Sequence, residues 1–257
     1  MQLGRGVDVC VIMALGKRRT IRSYVRRAGR MTVSQERALA ELWPTFGIEF
    51  AMDKQDFDKV FGRRAKRILE IGFGNGESLV DAAIRNPDKD FIGIEVHEPG
   101  IGHCLILARR AGISNLRIIR HDAIEVLRYQ VTEGSLERIN LFFPDPWPKK
   151  RHHKRRILQP AFLELAASRL QPGGTFHIAT DWSDYAEHID ELFARSALFR
   201  LDEHREHAGD DPLDRGTTKF ERRGLEKGHR IRDWRFVQQP SRSAAPLGQL
   251  KLVYKCR

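Results

Sequence analysis

Three cysteines among 257 residues (Cys10, Cys104 and Cys256) are too few and too scattered for a disulfide framework, and no two form a C-x-x-C pair. Their scarcity excludes an iron–sulfur or radical-type cluster. It fits a reducing compartment, so a cytoplasmic setting is expected. No apolar run approaches the roughly 20 residues that cross a bilayer. The mildly apolar stretch 7–15 is short and lacks a cleavage pattern, so neither a membrane span nor a signal peptide is expected. Internal repeats are absent. His204 and His207, close to Asp210 and Asp211, are the nearest thing to a metal-binding pattern, but they read as a solvated loop, and no metal is expected.

Positive charge is in surplus, and its placement is informative. Seven basic residues and no acid fall within 17–30, and six basic residues and no acid within 149–156. Removing these 13 charges takes the formal net charge from +11 to −2. The basicity therefore sits in two patches, which is the footprint of a polyanion rather than of general solubility. The length suits one large α/β domain with extensions.

From residue 67 onward, short β-rich runs (67–71, 90–95, 116–121, 139–143, 175–180) alternate with helical patterns (77–85, 100–111, 123–129, 160–170, 183–196). Such alternation predicts a doubly wound, mostly parallel sheet covered on both faces. The turn at 171–174 separates a helix from a strand. Beyond residue 196, the runs 198–202, 217–222 and 232–237 read as antiparallel additions at one edge. Residues 1–60 read as a basic, partly flexible extension with one helix over 34–42, residues 61–238 as the main domain, and 239–257 as a tail.

The run Glu70-Ile71-Gly72-Phe73-Gly74-Asn75-Gly76-Glu77 is a strand that ends in a glycine loop and opens a helix. Gly72, Gly74 and Gly76 allow a tight turn and close approach to a ligand. A dinucleotide fingerprint requires glycine where Glu77 stands, so a nicotinamide cofactor is disfavoured. A carboxylate at Glu70 repels pyrophosphate and attracts a cation. S-adenosylmethionine, with a sulfonium and an α-amino group, fits that charge. Glu95 at the second strand end is placed for ribose hydroxyls, and Asp122 after the third for an adenine amino group. For each acid alone a surface or helix-capping role is the more ordinary reading; the combination in this order is what points to a nucleoside cofactor.

The fourth strand runs into Phe142-Phe143-Pro144-Asp145-Pro146-Trp147-Pro148-Lys149, followed at once by Lys150, Arg151, His152, His153, Lys154, Arg155 and Arg156. Three prolines fix φ and hold Asp145 and Trp147 in a rigid display beside the cationic run. One acid and one aromatic next to dense positive charge suit a nucleobase attached to phosphate.

These motifs together resemble the bacterial tRNA (guanine-N(7)-)-methyltransferase family. The likeness continues through Ala179-Thr180-Asp181-Trp182 and Thr218-Lys219-Phe220-Glu221-Arg222-Arg223-Gly224 and covers roughly residues 18–237. It implies a Rossmann-like class I methyltransferase with a seven-stranded sheet and an antiparallel edge, S-adenosylmethionine as cofactor and tRNA as partner, with the methyl delivered to guanosine 46 in the variable loop. It implies cofactor contacts from Glu70, Glu95, Asp122 and Asp145, and substrate contacts from Lys149, Asp181, Thr218, Lys219, Phe220 and Glu221. The run 151–156 falls where the family contacts RNA. Asp145 is the expected catalytic residue, since methylating a ring nitrogen needs orientation and charge stabilisation rather than a strong base. Trp147 serves either as a stacking platform or as a plug that shapes the loop. A monomer or a homodimer is expected. The runner-up is a class I methyltransferase acting on another RNA base or a small molecule. An exocyclic-amine enzyme would carry an (N/D)-P-P-(Y/F/W) loop, to which Pro144-Asp145-Pro146-Trp147 is related but not identical. The third reading is an RNA-binding module that has lost activity.

Overall fold

The computed structural model describes residues 29–208, 213 and 215–240. Eight strands form one sheet in the order β1-β4-β3-β2-β5-β6-β8-β7. They are β1 (Gly47–Ile48), β2 (Lys66–Ile71), β3 (Lys89–Ile94), β4 (Leu116–Ile119), β5 (Leu136–Phe142), β6 (Leu170–Thr180), β7 (Phe199–His207) and β8 (Ile231–Gln238). Strands β1 to β6 pair in parallel, and β8 pairs antiparallel to both β6 and β7. Seven of these strands are the expected sheet. The eighth, β1, is a two-residue addition at the edge beside β4.

Strands buried on both faces explain why the central runs are continuously apolar rather than alternating. Ile68, Leu69 and Ile71 of β2, Phe91, Ile92 and Ile94 of β3, and Leu116, Ile118 and Ile119 of β4 are all buried. One face packs against α1 (Val33–Phe46), α3 (Glu77–Arg85) and α4 (Glu98–Ala111) through Leu42, Leu79, Val80, Ile101 and Leu105. The other packs against α5 (Ala123–Tyr129), α6 (Pro160–Arg169) and α7 (Ser183–Ala194) through Val126, Phe162, Leu163, Tyr185 and Phe193. A short helix α2 (Phe57–Phe61) buries Phe57 in the second cluster.

Three local expectations are corrected. Residues 217–222 are not a strand: they open helix α8 (Lys219–Glu226). The Thr218 hydroxyl accepts from the Glu221 amide at 3.1 Å and the Glu221 carboxylate accepts from the Thr218 amide at 3.1 Å. This reciprocal cap outweighs the β-like composition of the segment. The N-terminal helix expected over 34–42 runs on through Pro44 to Phe46. Finally, His204 and His207 are not in a solvated loop but on β7. His204 stacks on Trp234 with ring centroids 5.2 Å apart, and His207 is buried against Asp233. Asp210 and Asp211 lie outside the described residues, as does most of the basic stretch 17–30.

Candidate active site at the carboxyl edge of the sheet

Parallel strands deliver their carboxyl ends to one edge, and ligands of open α/β sheets bind where the strand order reverses. Here that point lies between β2, which leads back to β3, and β5. Register places Glu70 opposite Asn140 and Phe142 opposite Ala179, and the Phe143 amide donates to the Ala179 carbonyl at 2.8 Å. The glycine loop after β2, the proline loop after β5 and Asp181 after β6 are therefore neighbours along one crevice.

The glycine loop needs its glycines. Gly72, Gly74 and Gly76 have φ of 70°, 60° and 78°, in the left-handed region that L side chains disfavour. A side chain on Gly76 would strike Cys104 of α4, whereas one on Gly72 would meet nothing within 4 Å. The first is a packing constraint; the second is open room above the loop where a ligand can lie. Glu95 is fixed by three backbone amides. Its Oε2 accepts from Gly74 at 2.9 Å, and its Oε1 accepts from Val96 at 2.6 Å and His97 at 3.0 Å. A carboxylate so held keeps lone pairs for a ligand hydroxyl. Asp122 caps α5, its Oδ1 accepting from Ile124 at 2.8 Å and Glu125 at 3.3 Å. The capping role weighed from sequence is thus present, and it engages one of the two oxygens.

Glu70 is buried, and burial pushes its carboxyl up to about 7, opposed by Asn140 and the charge of Arg215. A buried acid under a glycine loop favours an arriving cation and disfavours an arriving anion. Open room at Gly72, an oriented Glu95 and a buried Glu70 together fit a cationic nucleoside cofactor.

On the proline loop, Phe143 and Trp147 both adopt positive φ, 51° and 46°, on either side of Asp145. Two such residues in one loop store strain that the surroundings must hold. Arg156 helps to hold it. Its guanidinium donates from Nε to the Pro146 carbonyl at 2.9 Å, pairs with Asp184 of α7 and lies 4.7 Å over the Tyr185 ring. The Arg156 side chain is 1% exposed. It is thereby withdrawn from the cationic face to which the sequence assigned it, because the loop's carbonyl and Asp184 compete successfully for it. Lys149, Lys150, Arg151 and Lys154 are exposed, and His152, His153 and Arg155 half-buried, around the 3-10 turn Lys150–Arg155. Arg155 lies 4.9 Å over the Trp147 ring. Neighbouring cations help hold His152 below the usual histidine range, after the effect of desolvation. Asp145 is exposed at the crevice.

Helix α8 comes over the glycine loop. Phe220, 52% exposed, carries its ring to 3.5 Å from where a Gly74 side chain would start, and Arg222 pairs with Glu77 at 2.5 Å. Thr218 is the cap residue, and Lys219 opens the helix, its side chain lying outside the described residues. Glu221 is turned inward and fully buried. Arg215 donates to its two oxygens at 2.5 and 3.2 Å, and to the two oxygens of Asp233 at 2.8 and 2.7 Å. The same guanidinium lies 5.3 Å from the Phe142 ring and 5.5 Å from that of Phe143. Although burial alone would raise it, Asp233 is held well below the usual carboxylate range by His177 and Arg215. His177 in turn is kept below the usual histidine range by burial. Asp181 Oδ2 accepts from His229 Nδ1 at 2.9 Å and borders Gly224 of α8. Arg215, Asn140 and His229 carried no signal in the sequence, since each is defined by a partner distant along the chain.

A model described as a putative methyltransferase family matches residues 64–234. A tRNA (guanine-N(7)-)-methyltransferase of Halorhodospira halophila is 51% identical over 223 residues, which is 86% of this chain and 96% of the relative. One from Alkalilimnicola ehrlichii is 53% identical over 86% of this chain and 93% of its own. The chain belongs to the tRNA (guanine-N(7)-)-methyltransferase family. Among solved structures, the 16S rRNA methyltransferase KamB superposes with a TM-score of 0.54 at 16% identity, over 73% of this chain and 95% of that one. An antibiotic-related methyltransferase gives 0.53 at 18%, over 74% and 94%. These two share the class I methyltransferase fold. Among the described residues, no helix is long and apolar enough to cross a membrane.

Two outcomes are expected of the anchors. Arg215→Met leaves the buried Glu221 without its arginine partner and Asp233 with its histidines alone, and should cost about 3–5 kcal/mol in denaturant unfolding. Arg156→Ala should lower the melting temperature and increase Trp147 mobility in fluorescence anisotropy, whereas exposed Lys154→Ala should change neither.

Proposed function

We propose that the protein transfers the methyl group of S-adenosylmethionine to nitrogen 7 of a guanosine in tRNA, at position 46 of the variable loop. The observation that carries this reading is the juxtaposition at one sheet edge of a cation-seeking glycine loop, the strained Asp145 loop and an exposed basic turn. The family's relatives at about half identity, named for that reaction, support it. Residues 61–238 are read as the catalytic domain, with α1 docked on it and the basic stretch 17–30 as a further RNA contact.

When bound, S-adenosylmethionine supplies an electrophilic methyl on a sulfonium. Glu70 would accept from its amino group, Glu95 from the ribose hydroxyls and Asp122 from the adenine amine. Asp145 orients the guanine by accepting from its N–H groups and stabilises the positive charge that develops on the purine. No base is needed, because nitrogen 7 already presents a lone pair. Asp181, held by His229, offers a second acceptor, and Lys149 a cation for phosphate or for the guanine carbonyl. Thr218, Lys219 and Phe220 border the base from the α8 side. Glu221, spent on Arg215, acts here by fixing that helix. Lys149, Lys150, Arg151, His152, His153, Lys154 and Arg155 face the tRNA backbone.

Incubation with methyl-labelled cofactor and unmodified tRNA, followed by nucleoside mapping, should give 7-methylguanosine; label on another base would redirect the assignment to the other RNA-methylating reading. Asp145→Asn should lower kcat by about 100-fold or more with cofactor affinity retained; the parent rate would remove Asp145 from the chemistry. Because Glu70 titrates near 7 and a cationic ligand needs it ionised, cofactor affinity should rise as pH climbs from 6 to 8. Glu70→Gln should flatten that rise in calorimetric titrations. In the ligand-free protein the same group works the other way: its folded pKa lies above the unfolded one, so its contribution to stability is lost as pH rises through about 7.

A further inference from the structure

Beyond Asp181, on the side away from the glycine loop, a cavity of about 580 Å³ opens between the start of α7, the end of β6 and the turn that leads into β8. No role assigned above uses it. Its volume falls within the range of small-molecule sites. Three features of its lining are chemically specific. Trp182 and His229 form an aromatic corner, with ring centroids 6.5 Å apart and planes at 81°, and neither side chain is fully buried. Arg230 and Arg232 share a single carboxylate, Glu206, Arg232 at 3.3 Å, while the other two carboxylates of the lining, Asp181 and Asp184, are paired with His229 and Arg156, so that end carries one surplus positive charge. At the opposite end, α7 begins at Trp182 with no side-chain cap on its first amides. The third wall is Asp181, whose carboxylate also borders the proposed guanine site.

We propose that this cavity is a second nucleotide subsite, which takes the RNA nucleotide adjacent to the methylated guanosine. An aromatic corner accepts a splayed base without regard to sequence, and one uncompensated cation matches the single charge of a phosphodiester. A free mononucleotide carries more negative charge than this surplus balances. A chain nucleotide has one charge per phosphate, and its neighbour along the strand already lies across the shared Asp181 wall. The subsite thus deepens the tRNA reading and rests on it for the identity of the guanosine. Its consequence is that the target base is fixed from two sides: Asp145 and α8 hold the guanine, while Trp182 and Arg230 hold the nucleotide beside it. The enzyme then selects an unstacked pair of nucleotides rather than a lone guanine.

Filter binding of unmodified tRNA over a potassium chloride series tests this. Arg230→Ala should weaken binding about fivefold and reduce the slope of log affinity against log salt by about one. Trp182→Ala should weaken it about tenfold, and Trp182→Phe should restore most of that loss, a rescue that a purely packing role on α7 does not require at constant fold. S-adenosylmethionine affinity by calorimetry should be retained in all three. Unchanged tRNA affinity and salt slope in Arg230→Ala, or a Trp182→Phe protein as weak as Trp182→Ala, would overturn the subsite. Because binding is the readout, the comparison stands apart from the methyl-transfer reading: a wild-type protein that methylates another atom would defeat that reading while leaving the subsite to be judged on these affinities.

Discussion

One buried guanidinium joins the two halves of the site. Arg215 spans from Asp233 on the antiparallel strand β8 to Glu221 on α8, with the Phe142 and Phe143 rings beside it. Burying a charge this deeply is costly unless its hydrogen bonds are met, and here two carboxylates meet them. The consequence is positional. Helix α8 has few apolar groups of its own to bury, and this anchor adds to its cap and the surface pair Arg222–Glu77 in tying it over the glycine loop. The antiparallel edge of the sheet therefore does more than close the fold: it supplies, through Asp233, the counter-charge that sets α8 over the glycine loop.

A second anchor of the same kind acts on the proline loop. Phe143 and Trp147 adopt positive φ, and Arg156 helps to hold them there by tying the Pro146 carbonyl to Asp184 on α7. Strain at both flanks and a fixed carbonyl between them restrict where Asp145 can point. Both anchors use arginine, whose fork satisfies several acceptors at once from a fixed plane, which lysine does not. The site is in this sense preorganised: orientation is set before either ligand arrives, which is what a methyl transfer that needs alignment more than proton movement requires.

The sheet and the glycine loop were legible because their causes are local. Positive φ at Gly72, Gly74 and Gly76 demands glycine, buried parallel strands demand continuous apolar runs, and proline spacing marks the Asp145 loop. The segment 217–222 carries its helix signal too: Thr218 and Glu221 stand at capping-box spacing, which outweighs the β-like residues around them. Arg156 was not legible, since in a run of cations nothing distinguishes the one whose partner, Asp184, stands 28 residues on. Arg215 was hidden for the same reason, its charge partners lying on an adjacent helix and a strand 18 residues away. Local chemistry can be read along a chain; long-range pairing of like residues cannot.

The proposed reaction brings the cofactor's methyl group and guanine nitrogen 7 together beside Asp145 at the carboxyl edge of the sheet, with binding determined by the surrounding RNA contacts. Its most direct test compares single-turnover methyl transfer to a tRNA carrying guanosine at the target position with transfer to one carrying 7-deazaguanosine there. The substitution removes the accepting nitrogen and leaves the base edge read by Asp145 intact. Equal affinity for the two RNAs and no methyl transfer to the second are expected. Transfer to the deaza RNA at a comparable rate would contradict the proposed reaction.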